Sequence, residues 1–394
     1  MSEQQNNFYY FCTIISPIPT LTSRKQQAIM DSINAETTKR KERMEWLDAM
    51  RGFTMILVVA YHVAQMGFDQ SVKHSSSLSF LMLFRMPLFF FVSGFLAYKA
   101  SLAWDFKTFI SLLGKKIRIQ ILPTVVFFLF SCVALYPKFW PAVESNLHSP
   151  TKGGYWFTLV LLYMFVLYYI FCYLESKIRI KSWIPITLFF LLSLVAYESC
   201  YLPKLCWWAD GYRLKEPTTL LDDTSLIQLM KYMPFFLFGN IVRRYWNVAQ
   251  RIMDSKWFFP VIVTLVVFCT MDVLKWHTLR MAWANLPSTM AKFILLTITF
   301  MYFRHYAQYF SKMTFIGSSL QYIGRRTLDI YLLHFLFLPD LPAVGAFFKL
   351  NKHNFAIDTT LSVLIALVVI AFCIITSNIL RISPLFRKYL FGRG

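Results

Sequence analysis

Residues 46–67, WLDAMRGFTMILVVAYHVAQMG, decide how this chain is read. The run is long and apolar enough to cross a bilayer as one helix, yet it carries Arg51 near one end and His62 near the other. An ionisable side chain at the centre of a membrane helix costs about 3 kcal/mol on insertion scales, so its presence points to a functional path. From Arg51 to His62 is roughly 16 Å along the helix axis and about 20° away from the same azimuth. One stripe of the helix therefore carries both groups. That spacing suits a long, thin substrate with an anionic end and a reactive centre.

The rest of the chain agrees with a polytopic membrane protein. Of 394 residues, 57% are hydrophobic, 18% aromatic and only 15% charged, with 40 Phe, which is too apolar for a soluble chain of this size. The net charge of +20 would fit a nucleic-acid partner if it formed a stripe, but the basic residues fall in short clusters at helix ends. The reading is a lipid bilayer as solvent and no nucleic acid. Seven cysteines are scattered mostly through apolar runs without a CxxC pair, as small buried side chains; Cys200 and Cys206 flank one outer loop.

Apolar runs predict an all-α fold of ten transmembrane helices near 46–67, 78–98, 119–136, 156–174, 183–201, 225–243, 257–274, 286–303, 328–349 and 360–380. The ninth carries Pro339 and Pro342 near its end, where a kink or an early exit is expected. Residues 1–45 are read as a basic, poorly ordered N-terminal extension, with Met30 and Met44 as later possible starts, and 46–390 as the membrane domain. The side of the membrane that holds the N-terminal region and the tail collects 26 of the 40 Lys and Arg, against 10 on the other. The positive-inside rule then places both termini in the cytoplasm, which an even helix count requires, and makes this a multi-pass protein of the inner or plasma membrane.

Soluble-enzyme signatures are missing: no GxxxxGK[ST], no GxGxxG after a strand, no HExxH and no GxSxG. The seven histidines have no metal-ligand spacing, so no metal is expected. What remains is the set of polar groups inside or at the edge of the membrane. His62, in the outer third of the bilayer, is placed as a general base, although a histidine there also serves as a hydrogen-bond partner for a neighbouring helix. Arg51 lies one turn in from the cytoplasmic side, where it can bind an anion or snorkel to lipid phosphates. In the second span, Arg85 is expected near the depth of His62, too deep for easy snorkelling, and Ser93-Gly94 allow close backbone approach. Lys115, Lys116 and Arg118 open the third span at the cytoplasmic face and form either orientation charge or a phosphate site. Trp156 and Glu198 mark the outer ends of spans four and five, and His334 lies in the inner half of span nine, where it can face the cavity of Arg51.

These segments together resemble a known family. WLDAMRG with Arg51 and His62, FFFVSGF in span two, KKIR before Pro123, YWF at 155–157 and YLLHFLFL at 331–338 occur in the order found in the acyltransferase-3 family of integral membrane acyltransferases. The resemblance covers residues 44–390 and implies ten core spans and transfer of an acyl group, usually acetyl from cytoplasmic acetyl-CoA, to a hydroxyl of an envelope or exported glycan. It matches Arg51 and His62 to the functional pair of the first span. It matches Lys115 and Arg118 to an Arg-x-x-Arg pair, with lysine in the first place, which loses the bidentate fork but still serves phosphate as a point charge. On that basis Arg51, Lys115, Lys116, Arg118, Ser93 and His334 are expected to hold the acyl-CoA donor, and Trp156 and Glu198 the glycan or glycolipid acceptor. His62 would deprotonate the acceptor hydroxyl, and Arg85 would stabilise the developing oxyanion. The rival class is a transporter or flippase of lipid-linked sugars, which would move substrate without consuming an acyl donor. A non-catalytic scaffold leaves Arg51, Arg85 and His62 without a purpose.

Overall fold

The computed structural model describes residues 44–71, 75–100, 102–201, 220–275, 286–350 and 355–391, and among these the regular structure is helical throughout. The expected extension 1–45 lies outside them except for its last two residues, as does Cys206. Among the described residues the helices that concern the bundle and the site begin with α1 (Glu45–His62), α2 (Ser76–Ala97), α3 (Phe106–Lys116), α4 (Leu122–Leu135), α5 (Trp156–Lys177), α6 (Trp183–Ser199), α7 (Leu226–Arg244), α8 (Phe258–Lys275), α9 (Leu286–His305) and α10 (Phe315–Arg325). They are followed by α11 (Thr327–Leu333), α12 (Pro342–Leu350) and α13 (Phe355–Leu380).

Among the described residues, 6 stretches are long and apolar enough to cross a membrane: Glu45–Gly67, Ser77–Ala97, Phe106–Leu135, Trp156–Lys177, Leu286–His305 and Phe355–Leu380. The chain is thus an all-helical, multi-pass membrane protein. The other expected spans are helical, and three of them fall short for visible reasons. Helix α6 has 17 residues, at the lower edge of what crosses a hydrocarbon core. Helix α7 contains Gln228, Lys231, Asn240, Arg243 and Arg244, which lower its hydropathy. The ninth is interrupted earlier than its prolines alone suggest: α11 lasts 7 residues, tightens into a 3-10 turn at His334–Leu336, and the chain resumes as α12 only at Pro342.

In lipid there is little hydrophobic drive between helices, so close backbone approach and hydrogen bonds must hold them. Two reciprocal glycine pairs do this. A Cβ on Gly94 would lie 1.8 Å from the Phe236 carbonyl oxygen, and one on Gly239 would lie 2.0 Å from that of Phe91, so α2 and α7 touch backbone to backbone. Gly52 and Gly324 seat α1 on α10 in the same way, against the Leu320 and Asp48 carbonyls at 2.0 and 1.8 Å. Charged staples lie at the helix ends. Arg244 grips both oxygens of Glu175 at 2.5 and 2.8 Å, tying α7 to α5. Asp329 accepts from Arg381 at 2.6 Å and from Ser377 at 2.9 Å, which anchors the short α11 against α13.

Two helices depart from α geometry next to candidate site residues. A π turn, Val63–Gly67, begins directly after His62, and a second, Ile117–Ile121, directly after Lys116. The wider π ring carries one extra residue and turns the side chains that follow it out of register, a device found most often at functional sites.

Candidate active site

Two cavities adjoin inside the bundle. The larger, about 430 Å³, is lined by Arg51, Lys99, Lys115 and Lys116, with Ser93 and Gln120 among its other polar walls. The smaller, about 40 Å³, is lined by His62, Arg85, Met55, Val58, Met86 and Trp156. Phe89, Phe157 and Tyr331 line both. Their rings interlock, Phe89 against Phe157 at 4.8 Å and Phe157 against Tyr331 at 5.4 Å between centroids.

Each wall is fixed by local structure. Arg51 donates to the Thr327 hydroxyl at 3.0 Å and lies 3.6 Å from Asp48, so α1 and the start of α11 hold its guanidinium at the cavity edge. Lys116 places its ammonium 3.6 Å from the Phe165 ring centre, a cation–π contact that draws it inward from the end of α3. Ser93 donates to the Phe89 carbonyl at 3.0 Å and keeps its oxygen lone pairs available to the cavity. Arg85 is buried with its guanidinium carbon 3.5 Å from the Tyr61 ring centre, while its Nε has no hydrogen-bond partner. Stacking on a ring fixes a planar guanidinium and leaves N–H groups free for a ligand.

The segment 154–157 is sewn onto α11 by bonds between tyrosine hydroxyls and main-chain groups. Tyr331 donates its hydroxyl to the Gly154 carbonyl at 2.7 Å and accepts from the Phe157 N–H at 3.3 Å; Tyr155 donates to the Leu332 carbonyl at 3.0 Å. Gly154 has φ +98°, and a Cβ there would lie 2.2 Å from the Phe335 ring, so only glycine lets the turn close. Trp156 stacks on Tyr232 at 5.5 Å, and Tyr232 on Phe90 at 5.0 Å, which holds the indole over the small cavity.

His62 lines the small cavity, and its ring lies 5.1 Å from both His334 and Phe335. The structure thus brings His62, Arg85 and Trp156 together, and separately Arg51, Lys115, Lys116 and Ser93. Three expected residues are elsewhere. Arg118 is exposed and lines neither cavity, because Leu112, Lys115, Lys116, Ile119 and Gln120 share one face at ordinary helical spacing and Arg118 falls outside it. Glu198 accepts from Thr289 at 2.8 Å and also lines neither. His334 is buried beside His62, while Thr327, Leu328 and Tyr331 are the residues of that segment that reach the larger cavity. Gln120 joins the site without a sequence signal of its own, whereas Lys99 lies in the same connection as Lys115, and Phe89, Phe157 and Tyr331 belong to the FFFVSGF, YWF and YLLHFLFL segments.

The arrangement offers an anion-binding vestibule and, beyond an aromatic partition, an imidazole facing a guanidinium. No curated protein and no solved structure matches this chain. A family model described as an acyltransferase domain matches residues 44–378. Those residues include every wall of both cavities, and the chain belongs to the acyltransferase-3 family of membrane acyltransferases.

Proposed function

We propose that this chain moves an acetyl group from acetyl-CoA, bound from the cytoplasmic side, to a hydroxyl of a glycan or other exported acceptor that arrives from the opposite face. The observation that carries this reading is the pair of adjoining cavities. Four cations line one, His62 and Arg85 line the other, and Phe89, Phe157 and Tyr331 form the wall between them. Coenzyme A has the matching shape, with phosphates at one end and a thioester at the end of a narrow arm. Lys99, Lys115, Lys116 and Arg51 would hold the phosphates, and the arm would pass between the shared aromatics.

The size of the inner chamber favours acetyl. At about 40 Å³ it is far smaller than the vestibule, which suits a short acyl group better than a long one. Acetyl contributes a methyl, a carbonyl carbon and an oxygen. In the reaction, His62 takes the proton of the acceptor hydroxyl as its oxygen attacks the thioester carbon. The charge that develops on the carbonyl oxygen faces Arg85. Collapse breaks the carbon–sulfur bond, the thiolate leaves with the proton held by His62, and the products are an acyl ester and free coenzyme A.

Purified protein in lipid nanodiscs, given radiolabelled acetyl-CoA and candidate hydroxyl acceptors, tests the proposal. Acceptor-dependent release of coenzyme A is expected, with His62→Ala lowering the rate at least a thousandfold while still binding acetyl-CoA. Movement of a lipid-linked sugar with no donor consumed would assign the chain to the transporter class instead.

A further inference from the structure

Buried polar atoms without partners are uncommon in folded proteins and call for an explanation. Two of those in this chain sit on neighbouring rings: Nδ1 of His62 and Nε2 of His334. The imidazole centroids are 5.1 Å apart and the planes inclined by 42°. Nδ1 of His334 lies 2.8 Å from the Tyr331 carbonyl oxygen and 3.2 Å from that of Ile330. Carbonyls only accept, so this nitrogen carries the hydrogen, and Nε2 of a neutral His334 is a bare lone pair. That lone pair is sealed from solvent against a ring whose own Nδ1 is sealed and unpartnered. Of the other side chains beside His62, Phe335 has no acceptor and Arg85 only donates, while the Tyr61 ring meets the imidazole edge to face at 5.3 Å.

We infer that His334 is the positioning residue for His62, accepting a hydrogen bond from His62 Nδ1–H at its own Nε2 and so fixing which nitrogen of His62 is left basic. Ring centroids at this spacing bring facing nitrogens to within hydrogen-bond reach, ~2.7–3.2 Å, through a small turn about the soft χ2 torsion. The consequence is chemical. With Nδ1 holding the hydrogen, Nε2 of His62 is the unprotonated nitrogen, and that is the one able to take a proton from a hydroxyl. A base held by a third group is the usual logic of activated nucleophile sites. Here the third group is a neutral imidazole instead of a carboxylate, which spares the membrane interior a buried negative charge.

His334 is itself anchored from both sides. Its hydrogen is bound by two carbonyls of α11, and α11 is tied to the 154–157 turn through Tyr331 and Tyr155. The 3-10 turn that starts at His334 is what ends α11 beside the ring of His62, so the early break in the ninth expected span has a purpose.

The catalytic part of this inference rests on the proposed acetyl transfer, and its test therefore has two arms. The first compares wild type with His334→Gln and His334→Phe in nanodiscs, reading kcat and KM for acetyl-CoA across pH. A glutamine oxygen can accept from His62; a phenylalanine fills the space and cannot. His334→Phe is expected to lose ~100-fold in kcat, in the range for outer-shell partners of a functional histidine, with KM within twofold. His334→Gln should recover at least tenfold of that loss. Equal rates for the two variants, or a loss confined to KM, would overturn the inference. The second arm needs no turnover: nitrogen-15 NMR of histidine-labelled protein reads the tautomer of His62. An Nδ1–H form in wild type that disappears in His334→Phe supports the pairing even if acetyl-CoA proves not to be the donor. An Nε2–H form in wild type rejects it.

Discussion

At the scale of single residues, what matters is how Arg85 and Met86 face the same small chamber from successive positions of α2. Arg85 lies over Tyr61 with Nε unpartnered, a posture that depends on a flat, delocalised cation. Arg85→Lys keeps the charge but not the plane; it is expected to lower kcat by ~10²–10³ with little change in KM for acetyl-CoA. Steady-state kinetics with saturating acceptor decide this, and a change confined to KM would show that Arg85 serves ground-state binding instead. Met86 limits the chamber by volume. Met86→Ala should raise the butyryl-to-acetyl rate ratio by ~10-fold or more, since a methylene or two in an apolar pocket is worth that much. An unchanged ratio would mean that the acyl group is measured elsewhere. Both residues stand in the sequence as parts of an apolar run; Arg85 is conspicuous there because it is charged, whereas nothing in one sequence separates Met86 from Met82, which is exposed.

At the scale of elements, helical spacing explains why Lys115 and Lys116 line the vestibule together with Leu112, Ile119 and Gln120 while Arg118 lies off that face. Replacing both lysines by glutamine is expected to raise KM for acetyl-CoA by ~10-fold or more, leave kcat nearly intact, and have little effect with acetyl-pantetheine, which lacks the nucleotide phosphates. Loss with both donors would argue that the lysines support the helix and not the phosphates. Packing of α2 on α7 makes a separate prediction. A Cβ on Gly239 meets the Phe91 carbonyl, a backbone atom that cannot swing aside, so Gly239→Ala should cost about 1–3 kcal/mol and lower the midpoint of thermal unfolding by several degrees in detergent. A further element-level contact responds to acid. Arg304 donates two hydrogen bonds of 2.8 Å to Asp254 and thereby holds its carboxyl below the usual value. The contribution of that pair is fully present above the pH at which a free Asp titrates, about 4, and fades as pH falls through the lowered value. Thermal midpoints of wild type and Asp254→Asn should differ at pH 7 and converge as the pH falls below that of a free Asp, about 4.

For the whole molecule, the sidedness proposed from charge makes a direct prediction. In right-side-out vesicles of a variant without native cysteines, a cysteine placed at Lys312 should resist an impermeant maleimide, and one placed at Leu147 should react. The reverse pattern would invert the donor and acceptor faces. The helical class, the bilayer as solvent, and the placing of Arg51, Arg85 and His62 within apolar runs were legible in the sequence, because charge in an apolar run is costly wherever the run is folded. The resemblance found among WLDAMRG, YWF and YLLHFLFL is matched by the family over residues 44–378. The break of the ninth segment at His334 was not legible, nor was the union of the YWF turn with α11. Hydropathy averages over a window, and hydrogen bonds between residues 155 and 332 leave no trace in it. The same holds for the partition: Phe89, Phe157 and Tyr331 each stand in a recognisable segment, but nothing in the sequence says that the three share a wall. The amino-acid order alone thus determined which groups are too expensive to lie in lipid without a task. Only the packed bundle decided which of them share a cavity, because that depends on glycine contacts and π turns that set helix spacing and rotation, and neither quantity is additive along a chain.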